Sequence, residues 1–219
     1  MDFKTLKEKF NRLDTACVCD ANKRLRVMDP GIRPLNQGLK MIGIARTVHC
    51  KGDFLTVIKA LSEAREDEVL VIDAEGDRIA MAGELFTMEA KRKKLSGIVI
   101  DGGFRDVLPA RKINFPVYAR YITPMAGTSS KISAIQVEIK CGGVSVLPGD
   151  IILGDDDGIV VVSEKEVAEI LETAEGIQQK EEKVFRKMKQ GVSLLEMLNF
   201  SEHYEKISKG EESKLTFII

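Results

Sequence analysis

Residues 68–106 read EVLVIDAEGDRIAMAGELFTMEAKRKKLSGIVIDGGFRD, and their pattern decides the fold. EVLVIDAEG (Glu68 to Gly76) is a short apolar run closed by acid and glycine, as a buried strand is. GELFTMEAKRKK (Gly83 to Lys94) follows as a helix. Glu84 lies in its first turn and the basic run Lys91 to Lys94 at its last, where the helix dipole favours each sign of charge. GIVI is then a second buried strand, and the turn predicted at Asp101, Gly102 and Gly103 delivers Arg105 and Asp106.

Outward from this unit the alternation continues. Upstream, MIGIARTVHC (Met41 to Cys50) predicts a strand and DFLTVIKALSEA (Asp53 to Ala64) a helix with Asp53 as N-cap. MDPGIRPL (Met28 to Leu35) is a loop. Phe3, Leu6, Phe10 and Leu13 form a helical stripe, and Thr15 to Leu25 is also helix-like. Downstream, VLPARKI is a short helix or turn and PVYARYI (Pro116 to Ile122) a strand. Gln136 to Val162 then changes style, with short strands broken by Gly-Gly, Pro-Gly-Asp and GDDDG turns, an antiparallel section. Ser163 and Glu166 predict a capping box opening a long charged helix. Its polar face suits either solvent or a second subunit. The expectation is an α/β fold, one domain with a mixed sheet and helical elements at both ends.

Composition excludes several functions. The 219 residues carry a net charge of -1, no Trp and 5% aromatics, which leaves neither a basic field nor a stacking platform for nucleic acid. Cys17, Cys19, Cys50 and Cys141 form no CxxC, and His49 and His203 complete no zinc spacing. Free thiols, the lack of an apolar signal core and the lack of a membrane-length run predict a cytoplasmic protein. GxSxG, P-loop, HExxH and GxGxxG motifs are absent, so neither dinucleotide nor methyl-donor binding is supported.

Two loops could carry chemistry. MAGELF joins a strand to a helix, and its glycine lets free amides approach a carboxylate or phosphate. The alternative is a plain helix start with Glu84 set against the dipole. DGGFRD also follows a strand, and ligands in α/β sheets gather at the carboxyl ends of strands. An Asp there suits a hard cation with water in its remaining positions, and an Arg suits an oxyanion. The alternative is a structural Arg–Asp pair. GDDDG has contiguous acids between strands rather than an EF-hand pattern, so a hairpin with solvated acids is expected.

MDPGIRPL, GDFLTVIKALSEAREDEVLVIDA, GELF…AKRKKLSGIVIDGGFRD, FPVYARYITP and GGVSVLPGDIILGDDDGIVVV occur in that order. Together they resemble the RraA-like family, which includes 4-hydroxy-4-methyl-2-oxoglutarate aldolases, over roughly Leu13 to Glu182. The resemblance implies a swivelling β/β/α core in trimers or hexamers, with the site between subunits. It implies one RraA-like domain over residues 1–198, including a C-terminal oligomerisation helix, and a tail of unassigned role over 199–219. It implies Asp106 as ligand of Mg²⁺ or Mn²⁺ and Arg105 on the keto or enolate oxygen. Backbone amides of Gly83, Glu84, Leu85 and Phe86 would hold the carboxylate of a small 2-keto acid. Glu84 stands where the aldolases have Asp. A carboxylate from a neighbouring subunit would be Glu181, with Glu182 as competitor. The implied activity is class II pyruvate aldolase with oxaloacetate decarboxylase. The alternatives are a non-catalytic regulator of ribonuclease E type and a lyase acting on another 2-keto or sugar acid.

Overall fold

The computed structural model describes residues 2–218. Helices α1 (Phe3–Phe10) and α2 (Thr15–Ala21) lead into the short strands β1 (Arg26–Val27) and β2 (Arg33–Pro34). Strand β3 (Met41–His49), helix α3 (Leu55–Glu63), β4 (Glu68–Ala82), α4 (Glu84–Arg92), β5 (Gly97–Phe104), α5 (Val107–Lys112) and β6 (Val117–Ile122) then alternate. Strands β7 (Ile139–Cys141), β8 (Val144–Val146), β9 (Ile151–Gly154) and β10 (Ile159–Val162) follow. Helix α6 (Val167–Lys189), a 3₁₀ turn (Leu194–Met197) and α7 (Phe200–Ser208) complete the chain.

The main sheet has eight strands in the order β1-β10-β9-β3-β4-β5-β6-β2. Strands β3 to β6 are parallel, while β9, β10 and β1 extend the sheet antiparallel beyond β3. The four parallel strands therefore end on one rim. Their unbroken apolar runs are explained by burial on both faces. One face packs Leu70, Ile72, Ile98 and Ile100 against Val57, Ala60 and Leu61 of α3 and Ala90 of α4. The other packs Val69, Val71, Val99 and Tyr118 beneath the separate β7–β8 ribbon. A third core joins α1, α2 and α6 to β9 and β10 around the fully buried Phe10.

Several expectations need correction. The strand predicted to stop at Gly76 runs on to Ala82. Glu75 and Gly76 take positive φ, and the pairing with β5 shifts register three times beyond Asp73. Bulges thus carry polar residues that read as a turn while the strand continues. Asp101, Gly102 and Gly103 are not a turn but the interior of β5. The bulged half of β4 crosses so closely that a β-carbon on Gly102 would stand 2.7 Å from Ala74 Cβ. One on Gly103 would stand 2.7 Å from the Ile79 carbonyl.

Asp53 is not the N-cap of α3; Phe54 occupies that position without a side-chain cap. The Ser163 hydroxyl donates to Glu166, but no side chain caps α6, so the capping box is not formed. The second helix ends at Ala21, short of the predicted Leu25, because Arg26 and Val27 are taken up by pairing with β10. Of the GDDDG acids, Asp155 is buried rather than solvated: it accepts from the Thr15 N–H and hydroxyl, both at 2.7 Å. After α7 the chain returns: Asn199 N–H donates to the Thr216 carbonyl, and Ile218 N–H to that of Met197. No helix among the described residues is long and apolar enough to cross a membrane.

Candidate active site

The C-terminal ends of β4 and β5 carry the two loops singled out in the sequence, and a cavity of about 190 Å³ opens between them. Gly83, Leu85, Phe86, Arg105 and Asp106 line it, together with Phe54, Ala126 and Ala80 to Ala82. Gly83 follows β4 directly as the N-cap of α4, with no side chain capping that helix. The first intrahelical contacts are those of Thr87, whose N–H and hydroxyl both donate to the Gly83 carbonyl. The amides of Glu84, Leu85 and Phe86 precede that first bond. They are the orphan donors that every α-helix leaves at its start, and they favour an anion.

Asp106 is the N-cap of α5, yet it caps nothing. Asp is among the best capping residues when its backbone is extended. Here φ is 57° and ψ 43°, a left-handed conformation, and the carboxylate turns toward α4 instead. A β-carbon on Gly83 would stand 2.6 Å from Asp106 Oδ2 and 3.0 Å from Arg105 Cγ, so any side chain here would displace the carboxylate. The Arg105 N–H donates to the Ala82 carbonyl at 3.2 Å, fixing the loop to β4. The Arg105 guanidinium lies beside Asp106, Nε to Oδ2 3.4 Å, with both side chains nearly half exposed. A pair this open contributes little to stability.

A third segment was missed. Asp53 is buried, and its Oδ2 accepts from the Thr128 hydroxyl at 2.6 Å and the N–H groups of Ser130 and Lys131 at 2.6 and 3.0 Å. Its Oδ1 accepts from Leu55 N–H. Burial pushes the Asp53 carboxyl up, but the Thr128 hydroxyl and the amides of Ser130, Leu55 and Lys131 outweigh it and hold the group far below the usual carboxylate range. This carboxylate pins residues 126–131 across the mouth, where Ala126 and Phe54 become walls. Phe54 in turn packs edge-on against Phe86, with ring centroids 5.9 Å apart. The run GTSSK held the only signal: small and hydroxyl residues suited to satisfying a carboxylate.

Not all predicted residues meet. The Glu84 side chain does not line the cavity and has no hydrogen-bond or ion-pair partner among the described residues. Glu181 also does not line it; it lies on α6, where the Cys17 thiol donates to its Oε2 at 3.4 Å. Burial, with Asp14 and Glu181 beside it, pushes the Cys17 thiol up to about 12. Asp106 is the one carboxylate lining the cavity, and no cluster of three or more metal-ligating side chains occurs among the described residues. That donor set does not suit zinc, which takes three or four protein ligands. It suits magnesium or manganese, which take oxygen ligands and keep water or substrate in most positions.

The RraA-like family (Aldolase/RraA) matches residues 15–161. A protein of Halalkalibacterium halodurans named "Putative 4-hydroxy-4-methyl-2-oxoglutarate aldolase" is 39% identical over 168 residues, covering 76% of this chain and 80% of that protein. The crystal structure of Streptomyces coelicolor RraAS2, described as an unusual member of the RNase ES inhibitor RraA protein family, is 32% identical. It superposes with a TM-score of 0.75 over 86% of this chain and 98% of that one. The RNA-processing inhibitor RraA from a Thermus species superposes with a TM-score of 0.64 at 27% identity, covering 68% of this chain and 92% of its own.

Proposed function

The chain belongs to the RraA-like family, and we propose that it is a divalent-metal-dependent lyase. It would cleave 4-hydroxy-4-methyl-2-oxoglutarate-type 2-keto acids to pyruvate and decarboxylate oxaloacetate. The observation that carries this reading is Asp106: an N-cap residue whose carboxylate is turned from its own helix into the cavity shared with Arg105 and the start of α4.

Each residue then has a task. The amides of Glu84, Leu85 and Phe86 hold the substrate carboxylate at the positive end of α4. Arg105 places its guanidinium against the keto oxygen and stabilises the negative charge that gathers there as the carbon–carbon bond breaks. Asp106 would hold Mg²⁺ or Mn²⁺, which when bound would supply Lewis-acid polarisation of the keto group. Glu84 orients the water that takes the proton from the C4 hydroxyl in aldol cleavage. Oxaloacetate has no such hydroxyl, so its decarboxylation needs no base at that position.

Glu181 belongs to this reading only from a second copy of the chain, with Glu182 next to it as the competitor. Leu85, Met88 and Leu108 stand exposed on α4 and α5, apolar surface that a trimer or hexamer would cover. The competing reading is binding without catalysis, since two relatives are named as inhibitors of RNA processing or of a ribonuclease. Pyruvate release from both substrates with Mg²⁺ or Mn²⁺ separates the two. Turnover of at least one is expected; turnover of neither rejects the lyase.

A further inference from the structure

A row of polar residues crosses the other face of the sheet. His49 is in register with Asp73, and Asp73 with Asp101, on the parallel strands β3, β4 and β5. Arg120 of β6 joins the row by donating from Nε to Asp101 Oδ1 at 2.5 Å. Residues in register on a pleated sheet share a face. This face is the one that carries Val71 and Val99, whereas Phe54 and Phe86 of the candidate active site belong to the helix-covered face. The β7–β8 ribbon lies over the row. Between them are two cavities, of about 580 and 470 Å³, and both are lined by Asp73 and Lys140.

Most charges here are matched. Asp101 also accepts from the Gly142 N–H at 2.7 Å, and Arg120 also reaches Asp29. Glu75 is held by His49 and Lys51. Glu138 accepts from the Ser145 hydroxyl. Asp73 and Lys140 are the exceptions. Asp73 is only 7% exposed, and its Oδ1 accepts from the Glu75 N–H at 2.9 Å. Its Oδ2 has no partner among the described residues, although every fully enclosed side-chain oxygen and nitrogen among them does. Oδ2 therefore faces the cavities and not the core. The Lys140 side chain forms no ion pair or hydrogen bond among the described residues, and it stands between Ile139 and Cys141, which pack toward the sheet, so it leaves the ribbon on its outer face.

A carboxylate this deep costs stability unless a partner meets it. An ammonium group is the matching partner. We propose that the groove between the sheet and the β7–β8 ribbon binds a small primary-amine cation, whose ammonium meets Asp73 Oδ2. The lining acids Asp73, Glu75, Asp101 and Glu138 outnumber Arg120 and Lys140. The groove thus disfavours dianionic 2-keto acids and is distinct in chemistry from the candidate active site. Its size is within the range of ligand pockets.

Calorimetric titration of the full chain with cadaverine, L-lysine and hexanoate tests this. Cadaverine carries ammonium groups alone, L-lysine adds a carboxylate, and hexanoate lacks the amines. Cadaverine is expected to bind, L-lysine to bind no more tightly, and hexanoate not to bind. Asp73→Asn should weaken cadaverine about tenfold or more, and Lys140→Ala, a change on the outer face of the ribbon, should leave it unchanged. No binding of cadaverine to the wild type overturns the proposal. So does hexanoate binding as tightly as cadaverine, or unchanged cadaverine affinity in folded Asp73→Asn.

Discussion

Gly83 and Asp106 lie so close that a β-carbon on the glycine would stand 2.6 Å from Oδ2 of the aspartate. The contact runs from the end of β4 to the start of α5, and it fixes where the one carboxylate that lines the cavity among the described residues can sit. Gly83 has φ -164°, which any residue adopts, so the requirement for glycine is steric and local. Gly83→Ala should fold normally, because the flexible Asp106 side chain can swing aside. The displaced carboxylate should lower kcat by on the order of 10²-fold, the usual result of moving a reacting group by about 1 Å. Unchanged Tm with near-normal kcat would show that this contact does not set the position of Asp106.

Glu84 is expected to separate the two reactions. Its carboxylate is free of partners among the described residues and stands at the first position of α4, beside the cavity but not in its wall. Glu84→Gln should lower aldol cleavage on the order of 10²-fold or more while leaving oxaloacetate decarboxylation within a few-fold. Parallel rates for both substrates across the two proteins check this, and equal losses would remove Glu84 from proton transfer.

Asp53 predicts an acid-side signature. Its folded carboxyl is held below the ordinary value by Thr128, Ser130, Leu55 and Lys131. A depressed carboxylate stabilises the fold fully above its unfolded value, about 3.9, and that contribution is lost as pH falls toward the folded value. Asp53→Asn should thus lower Tm by a constant amount from pH 8 to about 5, with the gap to wild type closing below about pH 4. Thermal melts across pH measure it; a gap that widens in acid would contradict the assignment.

Asp155 ties the β9–β10 hairpin to α2 through the backbone and hydroxyl of Thr15. Asp157 N–H also donates to Asp155 Oδ1, at 3.0 Å. Hydrogen bonds to a buried carboxylate contribute about 1.5–3 kcal/mol each, and removing the acceptor leaves three donors stranded. Asp155→Ala should cost about 2–4 kcal/mol in urea unfolding. A change below about 0.5 kcal/mol would mean that these donors find other partners.

The strands, the helices and the two loops of the candidate site are legible because apolar runs and helix-terminal charges are local signals. What was illegible depends on chain crossing chain. Asp101, Gly102 and Gly103 have the composition of a turn. They sit inside β5 because Arg120 and Gly142 satisfy the acid and because β4 crosses too closely for any β-carbon. Glu75 and Gly76 likewise read as the end of a strand, yet β4 passes through them on a bulge. Asp53 resembles a helix cap by spacing, but beyond Leu55 its partners are 75–78 residues away in sequence. Asp155 reads as a solvated turn acid until Thr15 is placed against it. Long-range partners of acids leave no periodic trace in the chain.

The most direct measurement is pyruvate formation from oxaloacetate by wild type and Asp106→Asn, each with Mg²⁺, after EDTA, and after Mg²⁺ is restored. The account predicts that wild-type turnover disappears with EDTA and returns with the metal, and that Asp106→Asn is inactive under all three conditions. Wild-type turnover that survives EDTA, or Asp106→Asn activity near wild type, would contradict it.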